Sequence, residues 1–121
     1  DRGIGEVDDV LAVIDFARGR HGELPLLLGG FSFGTFVMAQ VCQQVEAEKI
    51  ILCGPAVGRF PLPAVPAHTL VIHGEEDEVI PLVHVLDWAR PQALPVVVFP
   101  GCSHFFHGRL THLQQVVERL W

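Results

Sequence analysis

Pro25-Leu26-Leu27-Leu28-Gly29-Gly30-Phe31-Ser32-Phe33-Gly34 is the stretch that decides how this chain folds. Pro25 to Leu28 is a short, unbroken apolar run closed by Gly29-Gly30, the pattern of a strand buried on both faces. A helix is expected to follow Ser32, from about Phe33 to Val45. Apart from Gln40, Gln43 and Gln44 it is apolar nearly all round, so it should be largely buried.

The same alternation extends in both directions. Upstream, Val7, Val10, Leu11, Ile14 and Ala17 recur at helical spacing, predicting a helix over about Glu6 to Arg20 that ends at Gly22. Downstream, Lys49 to Cys53, Thr69 to Ile72 and Val96 to Phe99 read as further buried strands. The Gly- and Pro-rich stretch from Gly54 to Pro66 is no regular helix. Pro81 opens a helix running to about Arg90, and Leu110, Leu113, Val117 and Leu120 form the expected inner stripe of a last one. Continuous apolar strands separated by helices give an α/β fold, a parallel sheet of about four strands flanked by helices. Ligands in such sheets bind beyond the carboxyl ends of the strands, so chemistry is sought just after each one.

Three strand ends carry candidates. After the first, Gly30-Phe31-Ser32-Phe33-Gly34 is a G-x-S-x-G turn. It puts its serine at the apex of a sharp strand-to-helix elbow, with strained backbone angles and small flanking residues. Ser32 then stands exposed at a helix N-terminus, which favours negative charge, and the Phe33 N–H becomes a candidate oxyanion donor. The competing reading is a glycine-rich turn with an incidental serine.

After the third strand comes His73-Gly74-Glu75-Glu76-Asp77-Glu78-Val79-Ile80-Pro81. A run of acids is ordinarily a solvated loop. By register Asp77 is the best candidate to orient a histidine, with Glu75 and Glu76 behind it. After the fourth strand, in Pro100-Gly101-Cys102-Ser103-His104-Phe105-Phe106-His107-Gly108, His104 and His107 compete as general base, and His104 lies nearer the strand end. His107 otherwise reads as a helix-capping or supporting residue.

The order Ser32, Asp77, His104 is that of the α/β-hydrolases. With Gly54-Pro55-Ala56-Val57-Gly58-Arg59-Phe60 and His104-Phe105-Phe106-His107-Gly108 beside the elbow, nearly the whole chain resembles the C-terminal two thirds or so of a bacterial α/β-hydrolase. It is most similar to a small, lidless group of hydrolases and esterases related to dienelactone hydrolases. Those enzymes proper use a cysteine nucleophile, and Ser32 points to ordinary ester chemistry instead. The resemblance implies a serine hydrolase of carboxylic esters that needs no cofactor. It also implies that several strands and a helix, with the loop giving the second oxyanion N–H, belong ahead of Asp1. The chain opens on Asp1, not Met, and reads as a single α/β-hydrolase domain, residues 1–121, cut from a longer polypeptide. The alternatives are a non-catalytic α/β module acting through association, and a thioesterase or peptidase on the same fold.

Composition narrows the partners. The 121 residues are 50% hydrophobic and only 18% charged, which excludes general disorder. Eight basic against 14 acidic residues leave a charge of −6, which argues against nucleic acid or an anionic membrane as a partner. No apolar run is long enough to span a bilayer. Cys42, Cys53 and Cys102, odd in number and without a C-x-x-C pair, point to a reducing compartment, the cytoplasm. Cys42 reads as helix core, and Cys53 and Cys102 as buried structural thiols. The seven histidines form no H-E-x-x-H, so no metal is expected. Phe31, Phe33, Phe105 and Phe106 either line an apolar acyl pocket or pack around the elbow. The expected partners are a small-molecule ester and, through a sheet edge left open at Pro25 to Gly30, either the missing N-terminal part or a second copy.

Overall fold

A computed structural model describes residues 3–120. Helix α1 (Ile4–His21) leads into strand β1 (Leu27–Phe31), helix α2 (Phe33–Val41) and strand β2 (Lys49–Cys53). An irregular stretch connects β2 to β3 (Leu70–Gly74), and α3 (Leu82–Ala89), a 3₁₀ turn (Arg90–Gln92), β4 (Val96–Phe99) and α4 (Leu110–Leu120) complete the chain. The four strands form one parallel sheet in the order β1-β2-β3-β4.

Register and alternation decide which side chains share a face. Leu28 pairs with Ile50, and Leu52 with Val71, so all four point the same way. Leu28 packs with Val7, Ile14, Val37 and Val41 of α1 and α2, while Val71 packs with Val85 and Ala89 of α3. Three helices thus cover this face. On the opposite face, Ile72 and Phe99 pack against Cys102, Phe106 and the Leu113, Val116 and Val117 side of α4. Ile51 and Cys53 of β2 also pack against this cluster, and β1 is left beyond it.

The consequence is visible on β1, which among the described residues pairs with β2 alone. Leu28 is 5% exposed, but Leu27 and Phe31 on the other face are 52% and 42% exposed. The strand expected to be buried on both faces is buried on one. Beside it, Phe31, Cys53, Phe105, Phe106, Leu110 and Leu113 line an apolar cleft of about 350 Å³. On α1, Ile4, Val13 and Phe16 are exposed as well.

Three helix expectations need correcting. On α1, Val7 and Ile14 are buried and Val10 and Leu11 pack against them, but Ala17 lies on the exposed side. Helix α2 stops at Val41, and Cys42 to Gln44 form a turn in which the Gln43 side chain donates to the Ala39 and Ala64 carbonyls. On α4, Leu110 and Leu120 are exposed, and the inward residues are Leu113, Val116 and Val117.

Candidate active site

The carboxyl ends of β1, β3 and β4 bring three side chains together. Ser32 caps α2 at φ 54° and ψ −118°, a left-handed φ that a non-glycine residue rarely adopts. The angles are imposed by the elbow. The Ser32 N–H stays in the sheet and donates to the Cys53 carbonyl (3.0 Å), while its own carbonyl has already turned to accept from the Thr35 N–H (2.9 Å). The buried Thr35 hydroxyl donates to that same carbonyl and accepts from the Ala56 N–H at 3.0 Å, which ties the elbow to the loop after β2.

Glycine is needed on one side of the serine only. A Cβ on Gly30 would lie 2.5 Å from the Gly34 carbonyl oxygen, whereas one on Gly34 would meet nothing within 4 Å. The expectation that both flanking positions must be small therefore holds for Gly30 and not for Gly34.

Serine at a helix start usually caps the first turn with its hydroxyl. Ser32 makes no such bond, and its Oγ lies 2.9 Å from Nε2 of His104. Nδ1 of that ring lies 2.6 Å from Oδ2 of Asp77. A carboxylate only accepts, so Nδ1 carries the ring proton, leaving Nε2 with a lone pair for the serine hydroxyl. His104 and Asp77 are 2% and 6% exposed. The second Asp77 oxygen accepts the Val79 and Ile80 N–H groups at 2.8 and 2.6 Å, which fixes the carboxylate plane. Phe31 and Phe105 pack their rings 5.2 and 4.9 Å from the imidazole. Gly54, at φ 64°, passes beside its Cε1.

The Phe33 N–H is among the first amides of α2, which have no acceptor within the helix. His107 is exposed, its ring 6.0 Å from Phe105, and His104 is the histidine that meets Ser32. Of the four phenylalanines, Phe31, Phe33 and Phe105 are partly exposed around the elbow, while Phe106 is core, edge-on to Phe99. Cys42, Cys53 and Cys102 are free thiols; burial pushes Cys42 up to about 11 and Cys53 up to about 12.

Several residues were not legible as part of this site. His73, fully buried, has Nε2 2.7 Å from the Ile80 carbonyl, so that nitrogen carries the proton, and it lies 3.4 Å from Asp77 Oδ2. Its Nδ1 is buried without a partner, and burial holds the imidazole below its ordinary value. Glu75 and Glu78 are exposed, as a run of acids ordinarily is, but each also holds a backbone group. Their carboxylates accept the Gly101 and His104 N–H groups at 2.7 and 3.0 Å. Glu75, an alternative to Asp77 in the sequence, holds the Gly101 N–H while Asp77 takes the imidazole; for Glu78 the one hint was its position beside Asp77.

A parallel sheet with a strained serine elbow after one strand, an acid after the third and a histidine after the fourth is the arrangement of the α/β-hydrolases, and the chain has their fold. It is similar to the lidless α/β serine hydrolase XC6422 of Xanthomonas campestris, with 35% identity, a TM-score of 0.92, and 99% of this chain on 57% of that one. An α/β serine hydrolase homologue from Coxiella burnetii matches at 33% identity and a TM-score of 0.83, with 98% of this chain on 60% of that one. A protein of unknown function from Agrobacterium tumefaciens, ATU1826, matches at 25% identity and a TM-score of 0.91, again 98% of this chain on 60% of that one. The chain therefore spans less than two thirds of each of these relatives. No protein-family model and no curated protein matches it. Among the described residues, no helix is long and apolar enough to cross a membrane.

Proposed function

We propose that the chain carries the catalytic residues of a serine hydrolase acting on carboxylic esters. The observation that carries this reading is the continuous line of hydrogen bonds from Asp77 through His104 to Ser32, at 2.6 and 2.9 Å. Ser32 Oγ attacks the ester carbonyl as its proton passes to His104 Nε2. The positive imidazolium is stabilised by Asp77, and the carbonyl oxygen, now negative, accepts from the Phe33 N–H. Collapse of the tetrahedral species breaks the bond to the alcohol, which leaves with the proton from His104. Water, deprotonated by the same nitrogen, then attacks the acyl-enzyme, and the acid is released as Ser32 regains its proton. The exposed rings of Phe31, Phe33 and Phe105 favour an apolar substituent near the scissile bond. No cofactor takes part in this scheme.

The uncovered edge of the sheet supports a second proposal. Parallel sheets are ordinarily covered on both faces. The β1 edge, with exposed Leu27 and Phe31 beside the 350 Å³ cleft, is therefore proposed to be covered in solution, either by further polypeptide completing the hydrolase fold or by a second copy. The three free thiols fit a reducing compartment such as the cytoplasm.

Hydrolysis of a nitrophenyl ester tests the activity. Activity that disappears in a folded Ser32→Ala variant supports the assignment. Substantial hydrolysis by Ser32→Ala overturns it.

A further inference from the structure

We propose that Glu75 and Glu78 are positioning residues that clamp the loop carrying His104, so the acidic run after β3 sets the place of the general base as well as its orientation. This rests on the reading of His104 as that base.

His104 stands on a loop after the last strand and must hold its ring against a serine 72 residues earlier in the chain. Such loops are mobile unless tied down. Asp77 grips the imidazole, but a single hydrogen bond to a ring leaves the backbone behind it free to shift. The backbone is held by the neighbours of Asp77. Glu78 Oε1 accepts the N–H of His104 itself at 3.0 Å, and Glu75 Oε1 accepts the Gly101 N–H at 2.7 Å. Between these two ties, the Glu75 and Glu76 N–H groups donate to the carbonyls of Phe99 and Cys102, each at 2.9 Å. With the Asp77–His104 bond, five hydrogen bonds thus lace residues 75–78 to residues 99–104.

Gly74 shows how close the two loops run. A Cβ there would lie 2.4 Å from the Cys102 carbonyl oxygen and 2.7 Å from that of Ser103, both backbone atoms. Past the histidine, Phe106 pins the loop from the other side. Its ring is 1% exposed, and its backbone takes a left-handed φ of 56°. The Glu78 carboxyl lies in solvent yet is held below its ordinary value, first by the His104 N–H and then by its own. Among the titratable neighbours, Asp77 opposes this lowering and His104 favours it. Within the run, then, Asp77 aims the ring, Glu78 and Glu75 hold its backbone, and Glu76 contributes its N–H.

The test compares Glu78→Ala, Glu78→Gln and the double variant Glu75→Ala/Glu78→Ala, each checked for folding by circular dichroism. Two readouts are followed: the rate at which a fluorophosphonate labels Ser32, and the low-field proton resonance of His104 Nδ1–H bonded to Asp77. Glu78→Ala is expected to slow labelling about tenfold and to broaden the resonance by solvent exchange, with a larger effect in the double variant. Glu78→Gln keeps an oxygen for the same N–H and is expected to stay within about threefold of wild type. Labelling and resonance unchanged in the double variant would overturn the clamp, as would a Gln variant no better than Ala. A wild-type protein that shows the resonance but takes no label counts against the catalytic reading alone, and the resonance of the Ala variants then decides the clamp. A wild type with neither overturns both.

Discussion

A methyl group added at Gly30 would sit 2.5 Å from the Gly34 carbonyl oxygen, 2.7 Å from its carbon and 3.0 Å from the Thr35 nitrogen. All three are backbone atoms, so no side chain can rotate away. The first turn of α2 must move by about 1 Å to reach ordinary contact distances of about 3.4 Å. Overpacking of this kind costs about 1–3 kcal/mol, or roughly 5–15 °C in Tm for a chain of this size. Ser32 lies between the clashing residues, so its hydroxyl moves with them. A displacement approaching 1 Å at a reacting atom costs on the order of 100-fold, and Gly30→Ala is expected to slow fluorophosphonate labelling by about 10- to 100-fold. Gly34→Ala is the control. Its Cβ meets nothing, and alanine in a helix is more stable than glycine by about 0.5–1 kcal/mol, so Tm should hold or rise by a few degrees. Thermal unfolding followed by circular dichroism, with the labelling rate measured alongside, separates the two. A Gly30→Ala variant that melts and labels like wild type, or a Gly34→Ala variant as damaged as Gly30→Ala, would refute the clash at Gly30.

Asp77→Asn should reduce ester hydrolysis by about 10³- to 10⁴-fold with little loss of fold, because an amide no longer selects the Nδ1–H form of His104; activity within tenfold of wild type would refute that role. His73 is held below its ordinary 6.5 mainly by burial, so on acidification the unfolded chain binds its proton first, and stability falls as pH drops below 6.5. Melting temperatures at pH 7.5 and 5 should show this fall, and His73→Gln should reduce it; an equal fall in the variant would refute the assignment. Sedimentation should find the β1 edge covered, with species larger than a monomer for this chain and fewer of them for Leu27→Lys. A cooperatively folded monomer that binds no exposed-surface dye would contradict that prediction.

Much of the architecture was readable because buried parallel strands declare themselves as apolar runs. Lys49–Cys53 and Val96–Phe99 have the expected ends. On β1 the strand outlasts its apolar run. Gly29-Gly30 closes the apolar run, yet both residues stay in register with Ile51 and Leu52, and the strand continues to Phe31. Glycine there serves the tight turn that follows. The exposed face of β1 and the outward Leu110 and Leu120 were not legible either, since an apolar residue carries no mark of whether its covering element is present. Ser32, Asp77 and His104 could be picked out because each follows a strand in a known order. The parts played by Glu75, Glu78 and His73 depend on loops that approach each other only in the fold, with hydrogen-bond partners 26 residues away for the two glutamates.

Peptide mapping by mass spectrometry after fluorophosphonate treatment tests the central claim most directly, because it asks which atom is nucleophilic and what makes it so. The 2.9 Å contact between Ser32 Oγ and His104 Nε2 predicts a single stoichiometric adduct on Ser32 in the wild-type protein. It also predicts that the adduct is nearly absent in a folded His104→Ala variant over the same time. An adduct on another serine, or labelling of Ser32 at an undiminished rate without His104, would contradict the account.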